Sequence, residues 1–146
     1  MSESPTVAGS LTFLLGKLGG LAGSRFAEKL APSGLKPRHC AVLELAGSTP
    51  LSQLDLATRI GVTPSVVVDM LDELETLGAI RRVPQEGDRR RRIIELTPTG
   101  RTLHHLAAQA AHEVDAELLH DIDHGLQRAL QSSLAEIASR HGFNYT

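Results

Sequence analysis

The 146-residue chain predicts a mainly α-helical fold broken by one short β-hairpin, on three observations. Apolar residues recur at three- and four-residue steps along most of its length, the period of amphipathic helices. Those stretches are punctuated by Ser/Thr-Pro starts and Gly stops, the ordinary marks of helix ends. Only between Ile80 and Leu96 does the period give way to β-branched and aliphatic residues, placed on either side of the turn-forming Pro84-Gln85-Glu86-Gly87-Asp88.

Taken in order, Leu11, Leu14, Leu15, Leu18, Leu21, Ala22, Phe26 and Leu30 form the stripe of a first helix from Ser10 to Leu30. It contains Gly16, Gly19, Gly20 and Gly23, each costing about 1 kcal/mol against alanine, so close approach of another helix is expected to compensate. Pro32-Ser33-Gly34 ends it, and Lys36-Pro37 opens a second helix through Cys40, Val42, Leu43 and Leu45 to Gly47. Two helices around a tight turn follow. The first starts near Ser52 with Leu54, Ala57 and Ile60 inward, Gly61 makes the turn, and Thr63-Pro64 starts the second. That second helix is expected to bury Val67, Met70, Leu71, Leu74 and Leu77, and to turn Ser65, Val66, Val68, Asp69, Asp72 and Glu73 outward. Strands at Ile80–Val83 and Arg91–Leu96 make the hairpin. After Thr97-Pro98-Thr99-Gly100, a stripe at Leu103, Leu106, Ala107, Ala110, Val114, Leu118 and Ile122 predicts an arm helix of about 24 residues, roughly 36 Å long. This is too long for one small domain to cover. A last helix after Gly125 carries Leu126, Leu130, Leu134, Ile137 and Ala138.

Composition bounds the function. Hydrophobic residues at 41% and charged residues at 22% predict one globular domain. Fifteen basic against seventeen acidic side chains give a net charge of -2, which excludes nucleic-acid binding by bulk charge. The single Cys40 excludes an internal disulfide framework and a cysteine-only zinc cluster, and suits a reducing compartment. Met1-Ser2-Glu3 has no basic leader, and the apolar run Leu11 to Ala22 is half a bilayer span and carries Lys17, so a cytoplasmic protein with no membrane partner is expected. Aromatics at 3% with no tryptophan argue against a single-strand binder that stacks bases.

The order helix, helix, turn, helix, hairpin is a winged helix-turn-helix: the second helix of the turn enters a major groove and the hairpin, or wing, reaches the neighbouring backbone or minor groove. Between Arg81 and Arg92 lie six arginines (81, 82, 89, 90, 91, 92) against Glu86 and Asp88, a local +4 in a chain of net -2. A charge run alone is most simply wet surface. Placed directly after a helix-turn-helix, it suits phosphates and a narrow minor groove. The candidate DNA contacts are therefore Ser52, Gln53, Thr63, Pro64, Ser65, Val66, Val68 and Asp69, with Arg89, Arg90, Arg91 and Arg92 on the wing. The helix from Thr63 to Leu77 has four acids and no base, which repels phosphates, although aspartate can accept from cytosine N4 and valines can touch thymine methyls. Most of the affinity is accordingly expected from the wing, the helix N-termini and the Ser52, Gln53, Thr63 and Ser65 side chains.

Three segments together resemble one family. Leu35-Lys36-Pro37-Arg38-His39-Cys40-Ala41-Val42-Leu43, the helix-turn-helix from Leu51 to Gly78, and Asp88-Arg89-Arg90 followed by Ile94-Glu95-Leu96-Thr97-Pro98-Thr99-Gly100 are similar to the second-helix opening, the DNA-binding helices and the wing with its exit in MarR-type transcriptional regulators. The resemblance covers nearly the whole chain. It implies a homodimer on a pseudo-palindromic double-stranded operator, with helices of residues 1–34 and 98–146 interleaved between subunits and residues 35–97 forming the DNA-binding lobe of one compact domain. It also implies a repressor released by a small anionic or aromatic effector in a cleft between arm and lobe, for which Phe13, Lys17, Arg38 and His39 are the candidate residues. By the same resemblance Asp88 would hold the wing arginines through an ion pair, and Arg90 would enter the minor groove.

Other chemistries find less support. His120 and His124, four apart with Asp121 and Asp123 nearby, are the candidate metal pair, but histidines on an arm helix are ordinarily solvated, and neither a metal nor another cofactor is expected. Cys40 would be a redox switch only if reactive, whereas its slot is that of a core residue. No nucleophile elbow, zinc-protease motif or phosphate loop points to an enzyme. The remaining alternatives are a metal- or thiol-responsive regulator, and a dimeric effector-binding module that has lost specific DNA binding.

Overall fold

A computed structural model describes residues 4–145. Among them six α-helices and three strands follow the expected order: α1 (Leu11–Leu30), α2 (Pro37–Ser48), β1 (Leu51–Ser52), α3 (Gln53–Ile60), α4 (Pro64–Thr76), β2 (Ile80–Gln85), β3 (Asp88–Leu96), α5 (Pro98–Leu118) and α6 (His124–Arg140). The sheet is antiparallel in the order β1-β3-β2. Its third strand was not anticipated: Leu51 pairs with Ile94 and Ser52 with Ile93, so the segment before α3 is stitched to the root of the wing.

The helix starts obey their local chemistry. Ser10 accepts from the Phe13 N–H at 3.2 Å, Thr63 from Val66 at 3.4 Å, and Thr97 from Gly100 at 3.0 Å. Pro64 and Pro98 occupy first helical positions, where a missing N–H costs nothing. The core lies between α2, α3, α4 and the inner face of the sheet, built from Leu30, Leu43, Leu45, Leu56, Val67, Leu71, Leu74, Ile80 and Ile94. Ala107 and Ala110 close it from α5. Inside α3 the buried residues are Leu56 and Ala57, whereas Leu54, expected inward, is 61% exposed. Leu56, Ala57 and the half-buried Ile60 still follow helical spacing, so the buried face is kept but turned away from Leu54. Leu77 is only half-buried.

α5 joins the lobe through an unusually close contact. The Ala79 carbonyl accepts from Thr97 N–H at 3.0 Å, and a Cβ on Gly100 would lie 2.0 Å from that same oxygen. Only glycine fits there. The other end of α5 packs against the end of α1, where Lys29 Nζ reaches Glu117 at 2.7 Å and Glu113 at 3.5 Å. Here the helix stops at Leu118, earlier than the stripe ending at Ile122 suggested. Asp121 takes a left-handed conformation (φ 67°), Asp123 caps α6 through Gly125 and Leu126 N–H groups, and the Gln127 amide donates to the Leu119 and Ile122 carbonyls.

Two helices leave apolar faces without a partner in the chain. Leu11, Leu14, Leu15, Leu18 and Leu21 of α1 are exposed, and so are Leu126, Leu130, Leu134 and Ile137 of α6, which buries no residue at all. The helix expected against Gly16, Gly19, Gly20 and Gly23 is not supplied by the chain itself: a Cβ at any of them would meet nothing within 4 Å. No helix is long and apolar enough to cross a membrane among the described residues.

Candidate nucleic-acid interface

The turn between α3 and α4 is set by hydrogen bonds at both helix ends. Ser52 and Asp55 cap each other, Oγ accepting from Asp55 N–H at 3.1 Å and Oδ2 from Ser52 N–H at 3.3 Å. Gly61, with φ 81°, turns the chain, and both Gly61 and Val62 donate to the Ala57 carbonyl. These bonds decide which expected contacts remain available. Ser52 is 4% exposed, and its hydroxyl also accepts from Arg91 Nη2 at 3.3 Å, so it supports the helix rather than facing outward. Gln53 is half-buried, while Thr63, Pro64, Ser65, Val66, Val68 and Asp69 crowd the exposed N-terminal end of α4.

The wing is β2 and β3 joined at Glu86-Gly87, with Gln85 opposite Asp88 and an irregular register beyond Pro84. Asp88 does support the tip, but through the backbone: its Oδ1 accepts from Arg90 N–H at 3.1 Å, and it makes no ion pair with an arginine among the described residues. The arginine run divides into two sets. Arg81 pairs with Glu95 at 3.8 Å, Arg82 with Asp72 at 2.7 Å and Glu75 at 3.4 Å, and Arg91 with Asp55 at 3.8 Å. Arg89, Arg90 and Arg92 are exposed and have no acidic partner among the described residues. A groove of about 300 Å³ separates wing from helices, lined by Gln53, Leu54, Pro64 and Val68 on one wall and Arg90, Arg91 and Arg92 on the other.

The acidic character of α4 is largely cancelled inside the molecule, which sequence reasoning missed. Glu73 receives Arg38, Lys36 Nζ at 3.4 Å and His39 Nε2 at 2.6 Å from the start of α2. The hydrogen bond from His39, then Lys36 and Arg38, holds the Glu73 carboxyl below its usual range. His39 is 1% exposed, and its Nδ1 accepts from the Lys36 N–H at 2.9 Å, which fixes the neutral tautomer with Nε2–H donated to Glu73. Burial lowers its pKa despite the carboxylate. With Asp72 and Glu75 taken by Arg82, Asp69 is the one α4 carboxylate without an ion pair among the described residues. Asp72 and Glu75 at i, i+3 on one flank of the helix were the available signal for a cation at that side.

The four candidate effector residues do not come together as one site. Arg38 and His39 are committed to Glu73, and His39 has both ring nitrogens engaged. Phe13 and Lys17 face each other along α1, with Lys17 Nζ 5.6 Å from the ring centre. A cavity of about 290 Å³ does lie between α1 and α5, lined by Lys29, Pro32, Ser33, Leu106, Gln109 and Glu113. α5 ends before His120, which sits in the turn against Asp121 at 3.0 Å, so the candidate metal pair His120 and His124 share no helix face. No group of three or more ligating side chains is arranged for a metal among the described residues. Cys40 is half-buried and its thiol is pushed up to about 11, chiefly by burial and then by Glu44, the behaviour of a core residue.

Comparison with known proteins places this geometry in context. Residues 33–91 match the family model described as MarR family. Over 130 residues the chain is 29% identical to an HTH-type transcriptional repressor of Mycobacterium tuberculosis, covering 88% of this chain and 94% of that one. A crystal structure of a MarR-family regulator from Rhodococcus sp. RHA1 superimposes with a TM-score of 0.82 at 28% identity, covering 92% and 96% of the two chains. The repressor CouR bound to a 23-mer DNA duplex gives 0.79 at 30% identity, covering 92% and 99%. CouR from Rhodococcus jostii RHA1 bound to p-coumaroyl-CoA gives 0.77 at 29%, covering 92% and 96%.

Proposed function

This chain belongs to the MarR family, and from that premise we propose that it is a cytoplasmic homodimeric repressor that binds a pseudo-palindromic DNA operator and is released by a small-molecule effector. The observation that carries the DNA reading is the adjacency of two elements. Arg90 and Arg92, free of acidic partners among the described residues, stand with Arg91 across one groove from Pro64 and Val68 of the exposed N-terminal end of α4, and Arg89 is exposed beside them in the same strand. Helix N-termini favour phosphates, and an arginine finger suits a narrow minor groove. The cancellation of three α4 carboxylates removes the main argument for a module that has lost DNA binding.

Residues 35–97 serve as the DNA-binding lobe, with residues 1–34 and 98–146 joining the two subunits. The apolar faces of α1 and α6 support that division, since exposed stripes of this size mark association surfaces. Release by an effector is supported by CouR, whose structures carry either a DNA duplex or p-coumaroyl-CoA. An effector that prefers a dimer with mismatched recognition-helix spacing depletes the DNA-competent population. Selection of bound sequences from random duplexes by the purified protein tests the proposal. The expected product is an inverted repeat with half-sites about one helical turn apart. A monomer in solution, or no enrichment at low salt, overturns it.

A further inference from the structure

At 100° per residue, the exposed part of α4 has two flanks. One carries Val66 and Glu73 and is held by the start of α2. The other carries Val68, Asp72 and Glu75, and a single side chain from the root of the wing engages all three positions. Arg82 Nη2 donates to the Val68 carbonyl at 3.3 Å and to Asp72 Oδ1 at 2.7 Å, and its Nη1 lies 3.4 Å from Glu75 Oε2. The guanidinium is a planar fork, so these contacts fix direction as well as distance. Its buried Nε has no hydrogen-bond partner among the described residues, a cost that charge neutralisation alone would not require.

We propose that Arg82 is a positioning residue for operator specificity: it sets the angle between the wing and α4, and thereby the register in which the wing tip and the recognition helix meet one duplex. The inference rests on the DNA-binding reading above. Arg82 faces α4 and not the groove, so it carries no base contact of its own. Base readout needs Val68 and Asp69 placed within hydrogen-bond and methyl-contact range of base edges, whereas phosphate attraction tolerates misplacement. Loss of the fork therefore separates the two kinds of binding.

The test measures dissociation constants of the full-length protein for its selected operator and for a scrambled duplex, each across a salt series, together with thermal melts. For Arg82→Ala the operator preference is expected to fall at least tenfold, with less than a twofold change in scrambled-duplex affinity and an unchanged salt slope. Arg82→Lys restores the charge without the fork and should leave the preference reduced; Arg81→Ala, on the same strand, should leave it intact. If Arg82→Ala fails to fold, Arg82→Lys and the Asp72→Asn/Glu75→Gln pair decide the matter in the same way. Unchanged preference in these variants, or equal loss on both duplexes, overturns the inference while the DNA reading stands. Wild-type protein that prefers no duplex refutes that reading and the inference with it.

Discussion

Replacing Arg89, Arg90 and Arg92 together by alanine should flatten the salt dependence of DNA binding by a calculable amount. These are the wing arginines without acidic partners, so each is free to displace a counterion from a phosphate. Each neutralised phosphate contributes about 0.9 to the slope of log K against log salt. Three per subunit, six in the proposed dimer, therefore make the slope shallower by about 5.4. Between 50 and 200 mM salt, wild-type affinity should consequently fall about a thousandfold more than that of the triple variant. Fluorescence anisotropy on a labelled operator, titrated at four or five salt concentrations, reads this directly. Arg81→Ala is the matched control, because Arg81 already faces Glu95, and its slope should change by less than about 1. A triple variant that keeps the wild-type slope, or a control that loses as much per residue, would refute the division of the run into free and committed arginines.

Other consequences concern stability and assembly. Gly100→Ala drives a methyl group into the Ala79 carbonyl and should destabilise the fold by about 3 kcal/mol; a denaturant midpoint equal to wild type would contradict the close contact. Acid should weaken the link between α2 and α4 in two stages. Because the folded-state pKa of His39 is lowered, the unfolded chain binds that proton first, and stability declines as pH falls below about 6.5. The lowered Glu73 carboxyl contributes stability that is complete above about 4.5 and lost as pH falls through its folded-state value. His39→Gln should abolish the first stage and leave the second reduced but present, since Lys36 and Arg38 still hold Glu73, as thermal melts between about pH 4 and 8 would show; an unaltered profile would count against the assigned tautomer. Leu130→Asp, on the uncovered face of α6, should leave the lobe folded while converting the proposed dimer to a monomer in sedimentation, and a persistent dimer would locate the subunit contact elsewhere.

What could be read in advance was whatever depends on near neighbours in the chain. The caps at Ser10, Thr63 and Thr97 act within three residues, and the core of α4 follows a plain helical period, so both were legible. β1 was not, because two residues have no period; they become a strand only by pairing with Ile93 and Ile94 some forty positions away. Separation in sequence also hid the ion pairs. Glu73 meets Arg38 across 35 positions, and Arg82 meets Asp72 across the α4–β2 turn, so four acids on one helix looked like a repulsive surface until the cations arrived from elsewhere. Within the wing, strand geometry and neighbouring helices split six arginines that composition could only count together.

The junction at Gly100 has a mechanical consequence. A helix whose first turn is wedged against a backbone carbonyl cannot swivel there independently, so α5 and the lobe behave as a single lever. Its arm, 21 residues long, measures about 31 Å. A tilt of about 5° imposed at the far end of that rod moves the near end by nearly 3 Å, comparable to the 3.4 Å step between stacked base pairs. A small molecule lodged beside α5 thus has no need to touch the recognition helix: a few degrees at the remote end shift the junction of α5 with the lobe by nearly one rung of the duplex.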